Sequence, residues 1–104
     1  MKKSNISVHT FSKRLKEIRL SKGLSQKQLG ILAGIDEFVA STRINRYEKG
    51  VHQPSLDVAL QLAKVLDVPL AYLYTEDDLL ARLVVVWDTL EPGKKEHIQL
   101  IAFS

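Results

Sequence analysis

A chain of 104 residues with 45% apolar and 26% charged side chains has room for one domain of modest core plus an appended helix or two, and its composition matches neither a disordered chain nor a membrane protein. Apolar runs such as Leu83 to Trp87 are far too short to span a bilayer, and the absence of cysteine excludes disulfides, thiolate metal sites and cysteine nucleophiles. The net charge of +3 hides an asymmetry, because residues 1–50 hold eleven Lys or Arg against four acids while residues 51–104 hold four against eight. A chain that turns one end toward a polyanion shows this pattern, and so does a solvated surface by chance, so charge alone does not decide.

Met1 to Asn5 is basic, but the next five residues are not an apolar segment, so no signal peptide is expected. Residues 1–9 read as a flexible arm, and a cytoplasmic location fits the lack of cysteine. From there the pattern is helical, with Gly or Pro stops every ten to fifteen residues. Thr10 is placed to cap a helix from Phe11 to about Lys22, with Phe11, Leu15 and Ile18 on one face, Lys13, Arg14, Lys16 and Lys22 on the other, and Gly23 as the stop. Ser25 and Gln28 have capping-box spacing and predict a second helix ending at Ala33, with Leu29, Leu32 and Ala33 inward and Gly34 in the following turn.

A third helix ends at Gly50. Ser55 caps a fourth over Leu56 to Leu66, with Leu56, Ala59, Leu60, Ala63 and Leu66 at helical spacing. Pro69 suits the first turn of a fifth helix reaching Tyr74. Residues 76–104 divide at Leu90 to Gly93 into two more helices, the first presenting Leu79, Leu80, Leu83, Val84, Trp87 and Leu90, the second Ile98, Leu100, Ile101 and Phe103. Leu83 to Trp87 is β-branched enough for a strand, but the spacing around it favours helix. The expected fold class is all-α: five short helices packed as one domain over residues 10–74, followed by a helical extension over 75–104.

The second helix, the Gly34 turn and the third helix have the form of a helix-turn-helix, which pushes its second helix into the major groove while the first lies across the backbone. Gln26, in the first turn of the second helix, is placed to hold a phosphate, and Gly30 lets the third helix cross closely although glycine costs about 1 kcal/mol of helix propensity. Ser41, Thr42, Arg43, Asn45 and Arg46 face away from the core positions Ile44 and Tyr47, and such side chains can read base edges.

The fragments Leu24-Ser25-Gln26-x-x-Leu29, Ala33-Gly34-Ile35, Ile44 to Gly50, Pro54-Ser55-Leu56 and Ala63-Lys64-x-Leu66-x-Val68-Pro69-Leu70-x-x-Leu73 stand in one order and spacing. Over residues 10–74 the chain therefore resembles the Cro and lambda-repressor type of helix-turn-helix domain, the XRE family of regulators. The resemblance implies a five-helix DNA-binding domain acting as a dimer on a palindromic operator. It makes Ser41, Thr42 and Arg46 base readers, with Arg43 and Asn45 nearby, and Gln26 and Lys49 phosphate contacts, to which Lys27 and His52 are added as neighbours. The third helix departs from the family pattern, because Asp36 to Val39 intervene where its cap usually follows the Gly-hydrophobic pair. Either the turn is enlarged and the helix starts near Ala40, or a longer helix is capped by Asp36; the register that resumes at Ile44 favours the enlarged turn. Asp36 and Glu37 would then lie near DNA unless they turn away or pair with Arg43.

Other side chains have plainer expectations. His9, His52 and His97 lack metal-ligand spacing, so no metal and no cofactor is expected. Glu48 is expected on a solvated face, paired with Arg46 or Lys49. Trp87 with Leu83, Val84 and Leu90 either closes the core or forms a dimer seam, and the seam is favoured because the five-helix unit is complete by Tyr74. The leading functional expectation is a dimeric, sequence-specific repressor. The alternative is an antitoxin-like interaction module that binds a protein partner through residues 75–104. No nucleophile-base pair or phosphate-binding glycine loop points to an enzyme.

Overall fold

The computed structural model describes residues 8–104; the arm expected at the N-terminus falls, for residues 1–7, outside the described residues. The helices are α1 (Val8–Ser21), α2 (Gln26–Leu32), α3 (Ala40–Glu48), α4 (Leu56–Leu66), α5 (Leu70–Tyr74), α6 (Asp78–Val86) and α7 (Pro92–Phe103), with a 3-10 turn at Trp87–Thr89. No strand occurs among the described residues, and none of the helices is long and apolar enough to cross a membrane.

Local chemistry sets most boundaries. The Ser25 hydroxyl accepts the Gln28 amide at 2.9 Å while the Gln28 side chain accepts the Ser25 amide at 2.8 Å, the reciprocal capping box that starts α2. At α4 the Ser55 hydroxyl caps alone, accepting the Val58 amide, and the Asp77 carboxylate starts α6 by accepting the Leu80 amide. Gly34 turns the chain after α2 with φ at +91°, a backbone region that glycine enters without the steric cost other residues meet. Three expectations need correction here. Helix α1 begins at Val8, so Thr10 is a buried member of the helix and not its cap. Pro69 precedes α5 as its extended cap residue. Arg14, expected on the solvated face of α1, is buried.

Phe11, Leu15, Leu29, Ile44, Leu62, Leu66 and Leu73 are fully buried and form the centre of the core. Burying a side chain of this kind stabilises the fold by roughly 1.5–3 kcal/mol. Two inner faces differ from the sequence expectation. Leu32 points to solvent because α2 is only seven residues long and offers the core Leu29, with Ala33 just beyond its end. In α4 the inward set is Ala59, Leu62, Ala63 and Leu66, while Leu56, in the first turn, and Leu60 are exposed. The core also runs past Tyr74, since Ala81 is buried and Val84 and Val85 pack against the same cluster.

Two buried arginines hold the helices in place. Arg14 donates to the carbonyls of Thr75 and Glu76, both at 3.0 Å, pairs with Asp78 at 2.9 Å and lies over the Tyr72 ring, which ties α1 to the start of α6. The hydrogen bond from Arg14, followed by that from Lys13, holds the Asp78 carboxyl below its ordinary range, and burial raises the Tyr72 phenol. Arg19 grips Glu48 with two nitrogens at 2.5 and 3.0 Å and donates a third bond to the Leu24 carbonyl. Both side chains of this pair are over nine-tenths buried, so Glu48 is not on the solvated face expected for it, and its partner is neither Arg46 nor Lys49. Gln26 adds a bond to Glu48 at 3.0 Å. The last residue of α3 is thereby tied to α1 and to the first residue of α2. Ser12 completes the lock with a 2.7 Å bond to the Tyr47 carbonyl.

The crossing of α2 and α3 is close. A Cβ built on Gly30 would lie 2.7 Å from the Ala40 Cβ and 3.1 Å from its carbonyl oxygen. Gly30→Ala should lower stability by about 1–2 kcal/mol despite its better helix propensity, because overpacking outweighs the gain of about 1 kcal/mol. Urea unfolding checks this, with Gly93→Ala in α7, where an added Cβ meets nothing within 4 Å, as the comparison that gains helix propensity without overpacking. Glu48→Ala leaves the Arg19 guanidinium buried without a counter-charge and should cost about 3–5 kcal/mol. The double replacement Arg19→Met with Glu48→Leu should recover most of that loss in the same measurement.

Candidate nucleic-acid interface

Helix α3 has two faces of different chemistry. Ala40, Ile44 and Tyr47 are buried and fix its rotation about its own axis. That rotation leaves Ser41, Thr42, Arg43 and Arg46 exposed along the opposite side. Asn45 lies between the two faces, half-buried, and accepts the Gln26 amide at 3.2 Å. The same amide nitrogen serves Glu48, so the Gln26 side chain fastens α2 to α3.

Gly50, with φ at +74°, reverses the chain after α3. The Val51 and His52 amides then donate back to the Arg46 carbonyl, at 3.0 and 3.4 Å. This return brings His52 beside the helix, where Val39, Thr42, Arg43, Arg46 and His52 line a single open hollow. Of the sequence-predicted contacts, four therefore share one surface: Thr42, Arg43, Arg46 and His52. Gln26 and Asn45 meet each other at the α2–α3 crossing. Lys27 and Lys49 are exposed, at the start of α2 and the end of α3, and do not line the hollow. Val39 is the member of this surface that the sequence left unassigned; as the residue just before α3, its carbonyl receives the Arg43 amide at 2.8 Å.

The extra residues at 36–39 form an enlarged turn, and α3 begins at Ala40. The Asp36 carboxylate accepts the Phe38 amide at 2.8 Å and its carbonyl accepts the Val39 amide at 3.0 Å, so the turn is closed by its own bonds. Arg43 donates toward the Tyr47 hydroxyl, at a long 3.5 Å, instead of pairing with Asp36 or Glu37.

The candidate seam residues are distributed differently. Leu83 is exposed, Val84 packs on the core, and Trp87 is half-buried beneath the Lys95 ammonium, 5.7 Å from the ring centre. Around Leu83 the outer face of α6 also exposes Leu79, Leu80 and Val86. Helix α7 buries none of its residues and exposes Leu100, Ile101 and Phe103.

Comparison with known proteins fits this geometry. The helix-turn-helix family profile matches residues 15–73, more than half of the chain. The cryptic phage CTXphi transcriptional repressor RstR of Vibrio cholerae is 28% identical over 98 residues, covering 88% of this chain and 83% of that one. Among solved structures, the transcriptional regulator BswR superposes with a TM-score of 0.78 at 48% identity, over 89% of this chain and 93% of BswR. The restriction-modification controller protein C.AhdI from Aeromonas hydrophila superposes with a TM-score of 0.57 at 36% identity, over 64% of this chain and 96% of its own. The buried Ile44 and Tyr47, the capped α2 and the exposed polar face of α3 are thus features of a recognised fold: the chain belongs to the XRE-type helix-turn-helix family of DNA-binding transcriptional regulators.

Proposed function

We propose that this regulator is a sequence-specific repressor that acts as a dimer and reads the major groove with α3. The observation that carries the reading is the exposed row Ser41, Thr42, Arg43 and Arg46 on a helix whose other side is locked into the core. Arginine reaches the O6 and N7 atoms of guanine with two hydrogen bonds, and Ser and Thr hydroxyls serve several bases. Asn45 joins them by releasing Gln26. Phosphates are held at the ends of the two helices: by Gln26 and Lys27 at the start of α2, and by Lys49 and His52 after α3. Such contacts set register and orientation without reading sequence. The name of RstR, a repressor of similar length, supports the direction of regulation.

The dimer reading rests on the apolar residues left uncovered by α6 and α7. Two copies joined through Leu83, with Val84 and Trp87 behind it, would place two α3 helices on a palindromic operator. A separation of about 34 Å, one turn of the duplex, is the spacing such a pair requires.

Binding should weaken steeply with salt, with the logarithmic slope growing by about 0.9 for each phosphate neutralised. Titration of labelled duplex at several salt concentrations measures it, and a flat response would contradict the reading. The double replacement Thr42→Ala and Arg46→Ala should abolish preference for the selected operator while leaving weak, salt-sensitive binding to any duplex. Leu83→Asp, at an exposed position, should convert dimer to monomer in sedimentation with the fold intact. A wild-type chain that is monomeric at every concentration would point instead to a different protein partner for residues 75–104.

A further inference from the structure

The turn that leads into α3 carries a large side chain that the fold does not use. Phe38 is 89% exposed, more than any other large apolar residue among those described. The backbone beneath it is nevertheless held in place. The Asp36 carboxylate holds the Phe38 amide, the Asp36 carbonyl holds the Val39 amide, and the Val39 carbonyl receives the first helical bond of α3 from Arg43. The backbone that carries the ring therefore stands at a defined place two residues before Ala40, not at the tip of a loose loop. Val39, itself 43% exposed, lines the hollow with Thr42, Arg43, Arg46 and His52, and Phe38 is the residue before it in the chain, outside that lining.

The chemistry of these two residues narrows what they can recognise. Neither side chain donates or accepts a hydrogen bond, so neither can hold a phosphate or a polar base edge. The turn 36–39 contains no Lys or Arg, and the Asp36 carboxylate is folded back onto its own loop. Thymine displays one apolar group in the major groove, its 5-methyl, and contact with apolar side chains, Phe included, is how that methyl is read. We infer that Phe38, with Val39 beside it, reads the 5-methyl group of a thymine at the edge of each half-site. The insertion at 36–39 then extends the reading surface of α3 by one base pair of A·T specificity. This assignment rests on the placement of α3 in the major groove proposed above.

Selection from a random-sequence duplex pool with the full chain gives the consensus, and each thymine in it is then replaced by deoxyuridine, which removes only the methyl. The wild-type chain should lose about three- to fivefold in affinity at one thymine position per half-site, the factor expected for one buried methyl group. Phe38→Ala should bind the thymine duplex more weakly and no longer distinguish it from the uracil duplex at that position. Its thermal unfolding and sedimentation should be unchanged, since the ring contributes almost nothing to the core. A thymine-to-uracil effect that is absent in the wild type, or that survives in Phe38→Ala, overturns the assignment of Phe38 alone. A change of oligomeric state in Phe38→Ala without loss of thymine preference also overturns it, in favour of a contact between copies. A pool that yields no consensus overturns the base-reading role of α3 itself.

Discussion

A buried ion pair fixes the end of α3 against the rest of the fold. Arg19 and Glu48 sit at the junction of α1, α2 and α3, and Glu48 receives bonds from both the guanidinium and the Gln26 amide. Taking two charges out of water costs several kcal/mol for each ion, and the fold recovers this only because the geometry is bidentate and the remaining guanidinium donor finds the Leu24 carbonyl. A hydrophobic replacement could give equal stability. What it would lack is direction: a paired guanidinium and carboxylate fix the end of α3 at one distance and one angle from α1, whereas apolar packing tolerates small slides. If α3 presents Thr42 and Arg46 to base edges at hydrogen-bond distance, as proposed, it gains from that restriction.

This arrangement separates the pose of α3 from the length of the turn before it. Gly30 meets Ala40, Gln26 meets Asn45 and Glu48, and Ile44 is buried; none of these contacts involves residues 36–38. The connection between α2 and α3 runs over residues 33–39, whereas removal of the four extra residues would leave three. Loop-closure entropy charges less than about 1 kcal/mol for such a difference. The turn could therefore lengthen without moving α3, which is why the family pattern resumes at Ile44 with its register intact.

The parts of the fold that were legible in the sequence are those governed by local chemistry. Ser25 with Gln28, Ser55, Gly34 and Pro92 act within a few residues of themselves, and the α3 register followed from Ile44 and Tyr47 flanked by matching text on both sides. The buried ionic residues were not read, because a charged side chain is ordinarily solvated. Their positions did carry a signal. Arg14 and Arg19 follow Phe11 and Leu15 at spacings of three and four, and Glu48 follows Ile44 at four, so each continues an apolar stripe. A charge on such a stripe is best explained by a partner charge on a facing helix. In α6 the difficulty was different. Seven of its nine residues are apolar, so periodicity cannot say which side meets the core, and the small Ala81 faces inward while larger leucines stay outside.

That choice in α6 has a physical logic. Helix α6 reaches the core through Ala81, Val84 and Val85, small or β-branched residues that allow close approach, and Arg14 pins its start through Thr75, Glu76 and Asp78. Anchoring it this way leaves Leu79, Leu80, Leu83 and Val86 directed outward from an element that is rigidly joined to α1. Because α1 is in turn tied to α3 through Arg19 and Glu48, the outer face of α6 and the exposed polar face of α3 belong to one mechanical unit. A partner seated on α6 would consequently fix the position of α3 in space as well. Two copies joined there would hold their reading helices at a set separation, and the operator spacing would be written into the arginine contacts as much as into the dimer seam.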